Sequence, residues 1–180
     1  MTEAIRHRGP DGASHFTVGN MALGNSRLAI IDINGGKQPL SNENDKIWIT
    51  FNGEIYNYKD LRIELLGLGH LFKTNSDTET ILHAYEEWSE DCVSHLRGMF
   101  AFVIADLNQR KFFLARDHLG IKPLYYLDIP GLFAFASELE ALKVIPSLKL
   151  KLDLTAIDQY LCLRHIQPAP EPPDPCRRGE

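Results

Sequence analysis

Cysteine is scarce in this chain, and it occurs late. Cys92, Cys162 and Cys176 are the three cysteines, so none lies in the first half of the sequence. An odd number of cysteines without the close Cys/His spacing of zinc sites does not predict a disulfide framework or a metal site. We therefore expect no bound metal and a reducing compartment, the cytoplasm.

The chain also has no excess of positive charge and no long apolar run. The net charge is −5 and no basic cluster stands out, which makes nucleic acid an unexpected partner. No apolar run approaches the ~20 residues that span a bilayer, and the N-terminus lacks a signal-peptide pattern. The 180 residues, 44% hydrophobic and 24% charged, are typical of one globular domain with a real core.

Strands dominate the predicted elements, and short turns join several of them. We predict the following strands: 15–18, 21–31, 47–51, 99–107, 111–116, 124–129 and 132–136. Gly19-Asn20, Asn108-Gln109-Arg110 and Pro130-Gly131 are short enough to be hairpin turns, which makes the pairing antiparallel. The polar, Gly-rich segment 32–46 is predicted to be a surface loop.

Helices are predicted from apolar spacing and from end signals. We predict the tail of a helix at 1–6 and further helices at 58–68, 76–88, 89–96 and 154–163. Leu61, Leu65 and Leu68 form one apolar stripe, with Gly67 and Gly69 at the helix end. Ile81, Leu82, Tyr85 and Trp88 form a second stripe, and Cys162 lies in a third, as a core residue.

Two strands are apolar on both faces, which constrains the architecture. Residues 99–105 and 132–136 do not alternate as a strand with one wet face would. Both of their faces must therefore be covered. Two stacked antiparallel sheets with helices outside them meet this condition, so we predict an α+β sandwich. Five of the ten prolines lie in 168–175, so residues 167–180 are predicted to be a disordered tail after a domain at 1–166.

Arg27 and Asp77 are candidates for holding an amino-acid head group. A guanidinium can bind an α-carboxylate bidentately, although Arg27 also fits a surface ion pair at a strand end. Asp77 can bind an α-ammonium. The segment Ser76-Asp77-Thr78-Glu79 also fits a capping box at a helix start, and the two interpretations of Asp77 are compatible.

Asn52 and Gly53 are candidates for an oxyanion hole. An Asn side-chain N–H and a Gly backbone N–H supply two donors, and glycine lets a substrate approach closely. The alternative is a tight turn, which Asn-Gly favours. Glu54 follows and either orients the site or is solvated.

Eight ordered motifs carry a resemblance to a known family. They are 6–12 (RHRGPDG), 26–28 (SRL), 35–40 (GGKQPL), 51–57 (FNGEIYN), 76–79 (SDTE), 98–102 (GMFAF), 116–126 (RDHLGIKPLYY) and 136–138 (ASE). In this order they resemble the glutaminase domain of bacterial glutamine-hydrolysing asparagine synthetase, a class II glutamine amidotransferase. The resemblance extends from about residue 1 to about residue 166.

The resemblance implies a fold, a site and a partner domain. The fold is the N-terminal-nucleophile hydrolase fold, a four-layer αββα sandwich of two antiparallel sheets. The implied glutamine-binding residues are Arg27, Leu28, Ile30, Ile31, Asn52, Gly53, Glu54 and Asp77, with Asn52 and Gly53 as the oxyanion hole. In the family, a separate synthetase domain activates aspartate with ATP and Mg²⁺. We therefore expect glutamine and a synthetase domain or subunit as partners, and no cofactor in this chain.

The chain departs from the family at the nucleophile. The family uses an N-terminal cysteine whose own amine is the base, whereas this chain begins Met1-Thr2-Glu3. We expect truncation at both ends, loss of the first strand and no glutaminase activity as written. Thr2 is a weak substitute, because the family has helix there. Cys92 and His95 have i,i+3 spacing, but a small buried hydrophobe beside a surface imidazole is the favoured interpretation.

Three functional hypotheses stay open at this point. The chain is an incomplete glutaminase domain of an asparagine-synthetase-like enzyme, a non-catalytic glutamine-binding or interaction module, or a glutaminase domain that serves another acceptor. A missing central strand exposes sheet edges, so we also expect reduced stability or a non-native homodimer.

Overall fold

The computed structural model describes residues 1–27, 36–148 and 150–164. The chain divides into two compact units, Met1–Leu148 and Lys149–Glu180. The first unit contains a 3₁₀-helix (Thr2–Arg8), β1 (Ala13–Val18), β2 (Met21–Ser26), β3 (Leu40–Ser41), β4 (Ile47–Ile55), α1 (Tyr58–Gly67), α2 (Asp77–Trp88), a 3₁₀ turn (Ser89–Asp91), α3 (Cys92–His95), β5 (Gly98–Asp106), β6 (Lys111–Arg116), β7 (Tyr125–Ile129), β8 (Leu132–Ala136) and α4 (Leu139–Lys143).

A four-stranded antiparallel sheet, in the order β3-β4-β5-β6, forms the centre of this unit. The long strands β4 and β5 pair with Phe51 opposite Phe102 and Gly53 opposite Phe100. Strand β5 is buried from Phe100 to Asp106. This burial confirms that both faces of β5 are covered, as its unbroken apolar sequence predicts.

Three apolar clusters separate four layers. The largest cluster packs α1 and α2 on one face of the central sheet, with Leu65, Ile81 and Phe102 fully buried. On the opposite face, Val103 and Ala105 of β5 pack with Leu23 of β2 and Phe135 of β8. Behind β8, a third cluster contains Ala134, Ala136 and residues of α4. The layer order is helix, sheet, sheet, helix, so the predicted α+β sandwich is confirmed.

The second sheet layer differs from the expectation of one continuous sheet. It consists of two separate hairpins, β1-β2 and β7-β8, with no ladder between them in the described part of the chain. The Gly19-Asn20 turn joins β1 to β2 as predicted, with Val18 opposite Met21. The face of β8 that carries Phe133 is partly exposed, so the prediction that both faces of this strand are covered is wrong.

Several predicted details need correction. The predicted loop 32–46 contains strand β3 and the buried Asn42, whose side-chain oxygen accepts from Ile47 N at 3.1 Å. Residues 28–35, including the predicted end of β2, lie outside the described residues. Leu68 is exposed, because α1 ends before it can reach the core. The short helix α4 was not predicted, since five residues are too few to show a 3.6-residue period.

The second unit contains α5 (Leu154–Leu163), with the bounds that the sequence predicts. Asp153 caps it by accepting from Thr155 N and Ala156 N at 3.0 and 3.1 Å. Cys162 is exposed, so its assignment to the core is wrong. The predicted disordered tail, 167–180, lies outside the described residues. None of the helices in the described part of the chain is long and apolar enough to cross a bilayer.

Candidate functional site

A cavity of about 870 Å³ lies in the first unit and collects most of the predicted site residues. Its walls come from the first 3₁₀-helix, β2, β4, β5, β8 and the start of α2. The predicted site residues that line it are Arg27, Asn52, Gly53, Glu54 and Asp77. Leu28, Ile30 and Ile31 were also predicted, but they lie outside the described residues.

Asp77 is fixed at the first turn of α2, at the wall of this cavity. Its Oδ2 accepts a hydrogen bond from Ile55 N at 3.1 Å, which ties the helix start to the end of β4. Burial raises the pKa of Asp77, and the nearby Glu54 carboxylate acts in the same direction. A buried carboxylate in such surroundings is stabilised by an incoming cation, such as an amino-acid ammonium.

The helix start is capped in part as the sequence predicts. Ser76 is the N-cap, and its Oγ accepts from Thr78 N at 3.1 Å. Glu79 does not close the capping box. Its carboxylate instead accepts from Lys73 N and Thr74 N, each at 2.7 Å. Glu79 therefore holds the preceding loop against the helix, which adds rigidity to the position of Asp77.

Asn52 and Gly53 lie inside strand β4, so the alternative of a tight turn is wrong. Gly53 has φ +155°, and a Cβ at this position would lie 2.1 Å from Met99 O and 2.7 Å from Phe100 Cα. No other residue fits here without separating β4 from β5. The Asn-Gly pair thus lines the cavity from a strand of the central sheet rather than from a loop.

Arg27 follows β2 and is anchored through its backbone. Arg27 N donates to Gly12 O at 2.8 Å, and Arg27 O accepts from Asp11 N at 3.0 Å. Gly9 packs directly on this segment, because a Cβ there would lie 2.2 Å from Ser26 O. The 6–12 motif therefore fixes the backbone of the segment that carries Arg27, at the end of β2.

Gln38 is a site residue for which the sequence assigned no role. Its Oε1 accepts from Phe51 N at 2.6 Å, and its Nε2 donates to Thr78 Oγ1 at 3.2 Å. Gln38 thus joins β4 to the start of α2 beside Asn52 and Asp77. Its place in the 35–40 motif was the available signal, although a motif alone does not show which strand a side chain contacts.

Two distant motifs meet at another part of the wall. His7 Nε2 and Arg8 Nε lie 3.0 and 3.4 Å from the Glu138 carboxylate. These contacts join the first 3₁₀-helix to the residues that follow β8. The 6–12 and 136–138 motifs are therefore in contact in the fold, although they are far apart in the chain.

None of the described residues that line the cavity is a cysteine. Burial raises the pKa of Cys92 to about 12, so its thiolate does not form near neutral pH. The His95 ring stacks on Trp88 with centroids 3.8 Å apart. These features favour the structural interpretation of Cys92 and His95. Thr2 does line the cavity, but it begins a 3₁₀-helix rather than a strand.

A carboxylate, a guanidinium and an amide side chain thus line one cavity in an αββα sandwich. The sequence model of the family described as "Glutamine amidotransferase domain" matches residues 1–173. The chain belongs to this family.

Several similar proteins of known name are glutamine-hydrolysing asparagine synthetases. The chain is 43% identical over 165 residues to asparagine synthetase [glutamine-hydrolyzing] 3 of Bacillus subtilis, covering 91% of this chain and 27% of that protein. It is 45% identical over 172 residues to asparagine synthetase 1 of the same organism, covering 96% and 27%. An Arabidopsis thaliana asparagine synthetase 3 is 47% identical over 143 residues, covering 79% and 24%. The chain therefore spans about a quarter of the length of these relatives.

A solved structure shares the fold. Glutamine phosphoribosylpyrophosphate amidotransferase from B. subtilis matches with a TM-score of 0.57 and 28% identity, covering 68% of this chain and 29% of that one. This likeness agrees with the expected amidotransferase fold.

Proposed function

We propose that this chain is the glutamine-binding part of an asparagine-synthetase-like amidotransferase. Glutamine occupies the 870 Å³ cavity, with its α-carboxylate on Arg27 and its α-ammonium on Asp77. The amide carbonyl faces Asn52 and Gly53, and Glu54 orients the site. The observation that carries the proposal is the convergence of these residues, from three separate motifs, on one cavity wall.

Ammonia transfer to aspartate is the activity proposed for the whole protein. The support is the 43–47% identity to asparagine synthetases from bacteria and a plant. ATP and Mg²⁺ act in a synthetase domain or subunit, and this chain supplies glutamine recognition. We propose a cytoplasmic location, and the support is an odd number of cysteines without metal-site spacing.

Hydrolysis requires a nucleophile in addition to these binding groups. Because the described cavity wall contains no cysteine, we propose that the chain as written binds glutamine without releasing ammonia. A non-catalytic glutamine-binding module gives the same outcome, and the two differ only in whether a longer natural form begins with cysteine. A different acceptor, such as phosphoribosyl pyrophosphate, is less supported, since that likeness has 28% identity.

Calorimetry combined with an ammonia assay tests the proposal. We expect glutamine to bind with a stoichiometry of one per chain, with no ammonia release above that of a blank. Asparagine and glutamate are tested as competing ligands. Both should bind more weakly than glutamine, because the cavity is proposed to recognise the head group and the amide together. Arg27→Ala should weaken binding at least about tenfold by removing a charged hydrogen-bond donor, and Arg97→Ala, an exposed arginine, is the matched control.

Three outcomes separate the hypotheses. Absence of glutamine binding by a folded protein would refute the proposed site. Ammonia release that depends on Thr2 would refute the proposal of an inactive chain. Intact mass and N-terminal sequencing of the protein from its host would show whether the natural form begins with a cysteine.

A further inference from the structure

A compact cluster of imidazole and carboxylate groups lies between α2 and the connection that precedes it, away from the proposed glutamine site. One ligand atom each from His70, His83 and Glu86 lie within 4.8 Å of one another. Glu86 follows Asp77 by nine residues, which places it about 13 Å further along the helix axis. The cluster therefore belongs to no part of the proposed glutamine pocket.

The helix α2 and the turn after α1 bring the three side chains together. His83 and Glu86 have i,i+3 spacing on α2, so they share one face of the helix. His70 follows α1 in a Schellman motif: His70 N donates to Leu65 O at 3.0 Å and Gly69 N donates to Leu66 O at 3.1 Å. Gly69 has φ +101°, a conformation that favours glycine. This turn brings the imidazole of His70 to 5.0 Å from that of His83, between ring centroids.

The distances suit a small divalent cation. Glu86 Oε2 lies 2.7 Å from His83 Nδ1 and 3.7 Å from His70 Nδ1. Zinc bonds of about 2.0–2.1 Å in tetrahedral geometry put ligand atoms roughly 3.4 Å apart. Small side-chain rotations therefore suffice to close the three groups around a zinc ion, with water as the fourth ligand.

A second layer of polar groups surrounds the cluster. His70 Nε2 lies 3.1 Å from Glu87 Oε2, on the side of the ring away from Glu86. Glu86 Oε1 accepts from Asn42 Nδ2 at 2.7 Å, which leaves Oε2 for the cluster. A carboxylate behind each imidazole and a donor behind a ligating carboxylate are the usual supports of metal ligands.

His83 is the best-buried member, with 2% of its side chain exposed. Its Nε2 is buried without a hydrogen-bond partner within the described residues, and it lies 3.8 Å from Glu79 and 3.7 Å from Glu43. His83 is therefore a buried imidazole with one ring nitrogen facing Glu86 and the other near two further carboxylates.

We propose that His70, His83 and Glu86 form a binding site for Zn²⁺ or a similar divalent transition metal, which fastens the α1–α2 connection to α2. Two imidazoles and one carboxylate are ligands that suit zinc better than Mg²⁺ or Ca²⁺. The role is structural. The metal holds the loop that Glu79 also binds, and thereby the start of α2 where Asp77 lies. The site was not expected from the sequence, which has no cysteine-based metal spacing.

Zinc titration of the full chain, stripped with a chelator, tests this site. We expect one zinc per chain by calorimetry, zinc–nitrogen distances of about 2.0–2.1 Å by X-ray absorption, and a thermal midpoint raised by Zn²⁺ but not by Mg²⁺. His70→Gln should weaken zinc binding at least about tenfold and remove the rise in midpoint. His95→Gln, a histidine stacked on Trp88 outside the cluster, is the matched control.

A second variant covers the case in which His70→Gln fails to fold. Glu87→Gln leaves all three ligands in place and removes only the carboxylate behind His70, so we expect roughly tenfold weaker zinc binding. The proposal is overturned if zinc does not bind the folded chain. It is also overturned if His70→Gln and His95→Gln bind zinc equally, because the metal then lies elsewhere.

Discussion

At the scale of single residues, two members of the proposed site have opposite effects on stability. Burial disfavours the ionised form of Asp77, whereas Gly53 is required by close packing between β4 and β5. Asp77 is a buried carboxyl whose pKa is raised above its ordinary value. A carboxyl with a raised folded-state pKa lowers stability as the pH rises from its unfolded pKa to its folded pKa, because ionisation is easier in the unfolded chain. Asp77 thus contributes to binding at the expense of stability.

Asp77→Asn should separate these two effects. We expect glutamine affinity to fall at least about tenfold, or 1.4 kcal/mol, because the ammonium loses its counter-charge. The thermal midpoint at neutral pH should not fall, since the amide oxygen can still accept from Ile55 N. Calorimetry and a thermal melt measure the two quantities, and Asp60→Asn, an exposed carboxyl on α1, is the control.

The pH dependence of binding gives an independent check on Asp77. Protonation removes the negative charge, so affinity should weaken as the pH is lowered toward its raised pKa. The loss should begin at a higher pH than an ordinary aspartate, with its pKa of about 3.9, would give. Affinity that stays constant down to the ordinary range would contradict the assignment of Asp77 to the ammonium.

Gly53→Ala tests whether packing rather than chain flexibility requires glycine in β4. The added methyl group would lie 2.1 Å from Met99 O, so β4 and β5 must separate locally. We expect a loss of about 1–3 kcal/mol in the free energy of unfolding, measured by urea denaturation. Gly67→Ala, where a Cβ meets nothing within 4 Å, should be neutral or slightly stabilising. Equal effects of the two substitutions would argue against the packing explanation.

At the scale of elements, the sequence predicted best where one physical signal acts alone. β6, β8 and α5 have the predicted bounds, because clear turns or a capping residue delimit them. β4 runs four residues beyond its predicted end, since Asn52-Gly53 signals a turn locally while pairing with β5 continues the strand. Tertiary contacts decided that conflict, and no local pattern could have revealed them.

In the candidate site, too, the sequence predicted what local motifs encode and missed what depends on tertiary contacts. The motifs identified Arg27, Asn52 and Asp77 as polar residues of one pocket, and the cavity includes all three. Gln38 and the His70–His83 pair were not assigned roles. Gln38 is 13 residues from Phe51 and His70 is 13 residues from His83, so spacing carries no information about these contacts. Contacts of this kind become visible only once the sheet and helices are assembled.

In the connection after β6, one carboxylate accepts several backbone hydrogen bonds. Asp117 Oδ1 accepts from Leu119 N and Ile121 N, and its Oδ2 accepts from Phe100 N and Lys122 N, at 2.9–3.2 Å. Burial acts to raise the pKa of Asp117, but these backbone donors outweigh it and hold the pKa at about 2. The conformation of the 116–126 motif therefore depends on Asp117, together with Arg116, whose side chain donates to Lys122 O and Gly120 O.

Asp117→Asn should destabilise the protein in a pH-dependent way. Because the folded-state pKa is lowered, the carboxylate stabilises the fold fully above its unfolded pKa of about 3.9. That contribution is lost as the pH falls toward 2. We expect the variant to melt below the wild type at pH 7 and the difference to shrink between about pH 4 and pH 2. Asp128→Asn, on exposed β7, is the control, and a gap that does not change with pH would contradict the explanation.

At the scale of the whole molecule, the divided second layer leaves apolar surface open. A cleft of about 480 Å³ beside β6 and β7 is lined by Leu114, Ala115, Arg116, Leu124, Tyr126 and Phe133. We name it the β6–β7 cleft. Tyr126 is 69% exposed and Phe133 is 39% exposed, in a layer whose two hairpins form separate sheets within the described residues. Exposed aromatic groups beside unpaired strand edges favour association.

We therefore predict concentration-dependent association of the chain through this cleft. Light scattering after size exclusion should show a mass that rises with protein concentration. Phe133→Glu should reduce the rise, because a charge in the cleft opposes burial of the aromatic surface. Tyr56→Glu, at an exposed tyrosine next to β4, is the control and should leave the association unchanged. A monomer at all concentrations with a sharp cooperative melt would show instead that the divided layer is stable alone, and the expectation of reduced stability would then be wrong.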